Sequence, residues 1–365
     1  MRPARGVFHR MTTFESLWNA ARAARRGKRR ARGTALFEHR LEYELLALQA
    51  QLREGTFAFG PYREFRVHEP APRLIRAAPY RDRVVHHALV AQLEPLLERH
   101  MLPCSFACRV GYGSHKALDM LQQHLRGGQW VLKVDVSKYF YSINHDLLKA
   151  SVFRHVACPR TRELIAALLT TYSAHDEYYF PQPNDDLFDV LRRRGVPIGN
   201  LTSQLFANWY LQPVDDFIKR QLGWRRYVRY MDDLVFVGPS KAAMTELQTQ
   251  VCTALRALRL TPHPTKTQIS PATNGVRFLG FRVYAHHRRL LRGNIRRFNA
   301  RMRRYRWAVE RGEMTFDAVR LSLRSWLGYA DPLQHGGLIE RLLDQHAFTV
   351  PGRSLPQRFT LRAPT

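Results

Sequence analysis

Leu41, Leu45, Leu48 and Leu52 recur at helical spacing, and the Gly55 that follows is placed to stop a helix. Residues 56–81 mix aromatic, Gly and Pro residues and read as short strands and turns. Helical periodicity returns over residues 81–100 through Val84, Leu89, Leu93 and Leu96, where His86 and His87 are expected to pack or hydrogen-bond. Residues 130–136 read as a strand: alternation puts Trp130, Leu132, Val134 and Val136 on one face and Lys133 with Asp135 on the other. Asn144 can cap a helix beginning at His145, and residues 175–186 form an acidic, aromatic loop. A Gly/Pro turn at 195–200 precedes a helix over 201–211, with Asn200 or Thr202 as its N-cap. Strand-like runs at 224–230 and 234–238 bracket Met231, Asp232 and Asp233, which predicts a hairpin with the two acids at its tip. Beyond residue 290 the chain shows Arg-rich helical periodicity.

Charge changes this picture. The chain of 365 residues carries 58 Lys and Arg against 30 acids, a net charge of +28. A polyanionic partner is the economical explanation, because neutralising phosphates releases condensed counterions. Residues 1–33 hold ten basic residues and one acid, and residues 288–324 hold twelve Arg and three acids. The carboxylates concentrate between these two basic arms, each of which could be simply a solvated helical face. The start of the chain is Arg/Ala-rich, expected to be mobile, and lacks the apolar run of a secretory signal. No segment reaches the ~18 apolar residues of a membrane span, so a cytoplasmic protein without membrane attachment is expected. The four cysteines do not form a disulfide framework in a chain this large, and His100, Cys104 and Cys108 lack a fourth zinc ligand.

Two adjacent acids between apolar strands repel unless a cation sits between them, and Mg²⁺ favours carboxylate oxygens combined with substrate phosphates. Two-metal phosphoryl transfer needs a further carboxylate from another strand. Asp135 is the obvious supplier for Asp232 and Asp233.

In order along the chain, residues 73–89, 105–118, 131–145, 197–208, 229–233, 261–269 and 276–281 resemble the blocks of a bacterial reverse transcriptase, from fingers to thumb. Many reverse transcriptases carry Gln-Gly-x-x-x-Ser-Pro in the fourth of these blocks. Here the segment is Ile198-Gly199-Asn200-Leu201-Thr202-Ser203-Gln204. An aliphatic residue before the glycine and Gln after the serine resemble the enzymes of diversity-generating retroelements, which misincorporate opposite template adenine.

The resemblance implies an α+β right-hand fold with an antiparallel palm sheet and a helical thumb. It divides the chain into a basic N-terminal extension (1–33), fingers (34–129), a first palm segment (130–150), an insertion (151–194), a second palm segment (195–285), a thumb (286–350) and a tail (351–365). It also implies that Asp135, the Val136 carbonyl and Asp232 hold two Mg²⁺ ions, for which Mn²⁺ can substitute, with Asp233 in support. Phe140 matches the aromatic gate against a ribose 2′-OH, and Arg73 matches a fingers arginine on the triphosphate. The basic residue often found two positions before that arginine is replaced by Ala71. Ile198, Gly199, Ser203 and Gln204 would face the nucleotide, Lys266 the leaving pyrophosphate, and Phe278, Leu279 and Gly280 the primer. The implied partners are template RNA, primer or cDNA strand, dNTPs and a small basic accessory variability protein. Only about thirty residues follow the resemblance, so no RNase H or endonuclease segment is expected. Two other readings stay open: a bacterial reverse transcriptase of phage defence or CRISPR spacer acquisition, and an RNA-binding scaffold without activity.

Overall fold

The computed structural model describes residues 3–68, 72–174, 188, 191–331, 336–348 and 357–358. Ala71, the acidic loop at 175–186 and most of the 351–365 tail lie outside the described residues.

The basic N-terminal stretch is part of the core rather than an appended arm. It forms α1 (Val7–Met11) and α2 (Phe14–Ala24), whose N-cap Thr13 accepts a bond from the Ser16 amide. Leu17, Ala20, Ala21 and Ala24 make one buried stripe, and small side chains let α2 lie close on a longer helix that follows. Next come α3 (Arg32–His39) and α4 (Leu41–Glu54), closed by Gly55 in the left-handed region at φ 81°. The hairpin β1 (Arg63–Val67) and β2 (Arg73–Ala77) leads into α5 (Tyr80–Glu98), on which α1, α2 and α3 pack.

After α6 (Ser114–Leu125) the chain enters the central sheet at β3 (Trp130–Asp135). It then forms α7 (Tyr139–Ser142), α8 (His145–Phe153), α9 (Pro159–Thr170), α10 (Leu201–Tyr210) and α11 (Gln212–Asp216), the last running into a π-helical turn. The hairpin β4 (Tyr227–Tyr230) and β5 (Asp233–Gly238), then α12 (Lys241–Ala257) and β6 (Gln268–Pro271), complete an antiparallel sheet of order β4-β5-β3-β6. A second sheet, β7 (Val276–Phe278), β8 (Phe281–Val283) and β9 (Arg288–Leu290), precedes α13 (Arg292–Glu310), α14 (Phe316–Ala330) and α15 (Gly336–Asp344).

The central sheet is buried on both faces. Leu132, Val134, Leu234 and Phe236 join the core built on α2, α5 and α10. Val131, Val235 and Val237 join a second core that includes the small sheet and the C-terminal helices. Catalytic-type side chains at the end of such a sheet therefore sit on backbone clamped from two sides.

Candidate active site

Three acids meet at one end of the central sheet. Asp135 ends β3 and lies directly across from Asp233, which begins β5. Asp233 in turn pairs with Tyr230, so the connecting turn is only Met231-Asp232, with Met231 in the left-handed region at φ 55°. Two lysines answer the charge: Lys266 Nζ lies 3.0 Å from Asp135 Oδ2, and Lys133 Nζ lies 2.9 Å from Asp233 Oδ1. The Asp232 carboxyl is pushed up to about 6, first by burial and then by the charges of Asp233 and Asp135, with Lys266 acting the other way.

The loop that carries Lys266 is stitched to β3. The His263 amide donates to the Asp135 carbonyl at 2.7 Å, and the Ser137 amide donates to the Thr261 carbonyl at 2.9 Å. These two bonds leave the Val136 carbonyl, which lies between them, unused by the bridge. Among the described residues no three His, Cys, Asp or Glu side chains form a ready-made metal cage. Mg²⁺ does not require one, since it is held by one or two carboxylates together with phosphates and water. Crowded carboxylates of which one resists ionising, beside a spare carbonyl, are a donor set suited to such an ion.

Beneath the turn lies a support that pattern reading missed. Arg229 and Asp215 are wholly buried, with Arg229 Nη2 2.5 Å from Asp215 Oδ2 and Nε 2.9 Å from Oδ1. Burial opposes the charge on Arg229, but Asp215 outweighs it, so the guanidinium is held firmly protonated. Arg229 Nη1 donates to the Met231 carbonyl at 3.1 Å and to Asn208 Oδ1 at 2.9 Å, and so fixes the turn that carries Asp232. The signal available in sequence was an arginine between Val228 and Tyr230 in an otherwise apolar strand; its partner gives no local sign.

Other expected residues gather at a neighbouring junction. The Phe140 carbonyl accepts from the Val196 amide at 2.8 Å, and the Ile198 carbonyl accepts from the Arg76 amide at 2.9 Å. Gly199, at φ 122°, lies so close to β2 that an added Cβ would come 2.8 Å from Ile75 Cγ2. The exposed Arg73 begins that same strand, opposite Val67. On α10, Ser203 is buried and Gln204 is exposed. Asn200 occupies the N-cap position without capping; its Oδ1 instead accepts from the Ala78 amide at 3.4 Å. Leu279 and Gly280 form the two-residue turn between β7 and β8, with φ 49° and 86°, and Phe278 pairs with Phe281 beside it. Lys133 Nζ also reaches the Arg277 carbonyl at 3.2 Å, which ties this hairpin to the acids.

An antiparallel sheet with acids at a hairpin tip, backed by helices and followed by a basic helical segment, is the right-hand polymerase architecture. Residues 68–283 match the family model for reverse transcriptase (RNA-dependent DNA polymerase), and the chain belongs to that family. It is 24% identical over 288 residues to protein YkfC of Escherichia coli (strain K12), covering 68% of this chain and 73% of that protein. It is 23% identical over 291 residues to the putative COX1/OXI3 intron 1 protein of Saccharomyces cerevisiae, covering 65% of this chain and 34% of that protein. It is 22% identical over 185 residues to group II intron-encoded protein LtrA of Lactococcus lactis, covering 48% of this chain and 28% of that protein. The enzyme class is thus RNA-directed DNA polymerase. No helix among the described residues is long and apolar enough to cross a membrane.

Proposed function

We propose that this chain is the error-prone reverse transcriptase of a diversity-generating retroelement, copying a template RNA into cDNA with misincorporation opposite adenine. Asp135, the Val136 carbonyl and Asp232 would hold two Mg²⁺ (or Mn²⁺) ions with Asp233 in support; bound there, they would neutralise charge on the reacting phosphate. The primer 3′-OH attacks the α-phosphate of a dNTP and pyrophosphate leaves. Lys266 balances Asp135 before substrate arrives and donates to the departing pyrophosphate. Arg73 binds the triphosphate from the fingers, Phe140 bars a ribose 2′-OH, and the Phe278-Leu279-Gly280 hairpin seats the primer. The template RNA, primer and dNTPs are joined, in this reading, by a small basic accessory protein.

The observation that carries the diversifying role is Ile198. It is half-buried at the turn where β2 meets α10, its backbone carbonyl is committed to Arg76, and its side chain offers the nucleotide no hydrogen bond. Ser203 and Gln204 lie in the first turn of α10 that follows. Fewer directional contacts weaken discrimination between correct and incorrect pairs. Primer extension on an RNA template with product sequencing tests this. Wild type is expected to misincorporate mainly at template adenine, Ile198→Gln to lower that error, and Asp232→Asn to extend nothing. Equal error spectra for wild type and Ile198→Gln would remove the fidelity argument built on Ile198, and a wild type without excess error at template adenine would remove the diversifying role. The likeness to intron-encoded proteins favours a second reading, a reverse transcriptase serving a mobile intron. A uniform, low error rate across all template bases is the outcome that would select it.

A further inference from the structure

The three acids stand at one end of the central sheet, and the other end is basic. Strands β3 and β4 start there and β5 ends there. The segments that meet at that end, residues 122–129, 217–228 and 236–245, contain six Lys and Arg and no acid. Since β3 is six residues long, this end lies on the order of 17–20 Å from Asp135.

The fold crowds these cations together. Gly127, just before β3, lies under Arg226: an added Cβ would come 2.5 Å from Arg226 Nη2, so the missing side chain makes room for the guanidinium. Lys219 Nζ donates to the Arg225 carbonyl at 2.5 Å, which draws the ammonium in beside both arginines. The half-buried His124 is held down to about 4, first by burial and then by Lys219 and Arg226. At the same end α12 begins with Lys241 and carries no acid in its first turn, where the helix dipole already disfavours positive charge. Asp216 pairs with Arg220 at 3.2 Å, but the exposed Arg126, Arg225, Arg226 and Lys241 have no acidic partner among the described residues.

A polyanion relieves repulsion of this kind, and exposed guanidinium forks suit phosphate oxygens. The aromatic side chains nearby are not offered for stacking. Tyr227 is buried, and Trp224 packs on Gly238, where an added Cβ would come 2.9 Å from its ring. Single strands are held by stacking on aromatic side chains, whereas double-helical RNA is held through its shape and phosphates.

We propose that this end of the sheet is a second nucleic-acid surface, separate from the copying site, and that it binds double-helical RNA. On the polymerase reading above, that RNA is a folded part of the template molecule outside the stretch being copied. A duplex engaged at the acids leaves the surface free, because the two sites lie at opposite ends of the same strands.

The test is fluorescence anisotropy on the full chain, first saturated with an unlabelled RNA–DNA hybrid bearing a recessed primer end. The labelled probe is a blunt RNA hairpin of about 16 base pairs, a length that a shape-reading protein surface spans. It is titrated across roughly 50–200 mM salt. The hairpin is expected to bind the preloaded chain. Arg225→Gln combined with Arg226→Gln should weaken that binding about tenfold and lower the salt slope by roughly 1.4–1.8, as for two lost phosphate contacts. Hybrid affinity and primer extension on a short template should stay at the wild-type level, and the melting temperature should stay level or rise. Arg99→Gln combined with Arg256→Gln, the same charge removed elsewhere, should leave hairpin binding as in wild type.

Complete displacement of the hairpin by the hybrid would overturn the proposal, since the two would then share one site. Hairpin binding by the Arg225 and Arg226 variant equal to wild type would also overturn it and leave the patch to an acidic protein. So would an equal loss from the Arg99 and Arg256 variant, which would reduce the effect to bulk charge, or a fall in melting temperature large enough to explain the lost binding. A wild-type chain that extends no primer, yet loses hairpin binding selectively with Arg225 and Arg226, would sink the polymerase reading and leave the RNA surface standing.

Discussion

Asp232 shows how a carboxyl at the candidate site is set against the stability of its own fold. Its carboxyl titrates near 6 rather than 3.8, mainly from burial and then from Asp233 and Asp135. An acid with a raised folded-state value favours the fold while protonated, below about 3.8, and that contribution is lost as pH rises through about 6. At neutral pH the ionised group therefore destabilises the metal-free chain. Asp232→Asn keeps the shape and removes the charge, so it should stabilise the chain by ~1–3 kcal/mol at about pH 7.5 and by only about a third as much near pH 4.5. Thermal melts of both proteins in chelator, at the two pH values, measure the difference directly. A variant no more stable than wild type at the higher pH would show that the three acids do not strain one another. Arg229 marks the opposite case: its charge is wholly buried yet fully answered, and it serves the turn only through the Met231 carbonyl.

At the scale of elements, α5 carries a comparable liability. His86 is buried, neither ring nitrogen has a hydrogen-bond partner, and burial lowers it from 6.5 to about 3. A base with a depressed value contributes its full stability above 6.5 and loses it progressively as pH falls toward 3. Near pH 5 that loss comes to ~2 kcal/mol. His86→Leu should therefore flatten the fall in melting temperature between about pH 7 and 5, and an unaltered fall would show that other groups cause it. The expectation that this histidine packs within the helix follows from its sequence position, but the missing partner does not.

That division recurs along the chain. Leu41, Leu45, Leu48 and Leu52 with Gly55, the Asn144 cap and the hairpin at Met231 were all legible, because each depends on neighbours in sequence. Asn144 Oδ1 does accept from the amides of Asp146 and Leu147. The helices α1 and α2 were obscured by their arginines, since composition hid a buried stripe of Leu and Ala. Lys133 was visible on the face of Asp135, but its reach to Asp233 and Arg277 depends on strand pairing that no local pattern encodes. The Arg229–Asp215 pair was invisible for the same reason: its partners come from a helix and a strand that only the tertiary fold brings together.

Across the whole molecule, side chains of the C-terminal helices also reach the turn between β7 and β8. Tyr329 Oη donates to the Leu279 carbonyl at 3.2 Å, Asn294 Nδ2 donates to the Gly280 carbonyl at 2.7 Å, and Asn294 Nδ2 also lies 2.7 Å from Tyr329 Oη. The turn proposed to seat the primer is thus held by side chains from α13 and α14. The left-handed Gly280 fits because an added Cβ would collide with Tyr329, so the turn and the helices close around each other without spare room. Tyr329→Phe removes two hydrogen bonds, the one to the Leu279 carbonyl and the one from Asn294, of which only the first holds the turn directly, and keeps the ring packed on Phe281. A neutral hydrogen bond is worth ~1 kcal/mol, so the bound primer should dissociate about fivefold faster while the fold is little changed. In single-encounter extension with a nucleic-acid trap, product lengths should shorten accordingly, with the first added nucleotide incorporated at the wild-type rate. If lengths hold and the first addition slows instead, Tyr329 acts on the geometry of the primer end rather than on its retention. The hairpin would then be positioned by the thumb helices without being coupled to how tightly they grip.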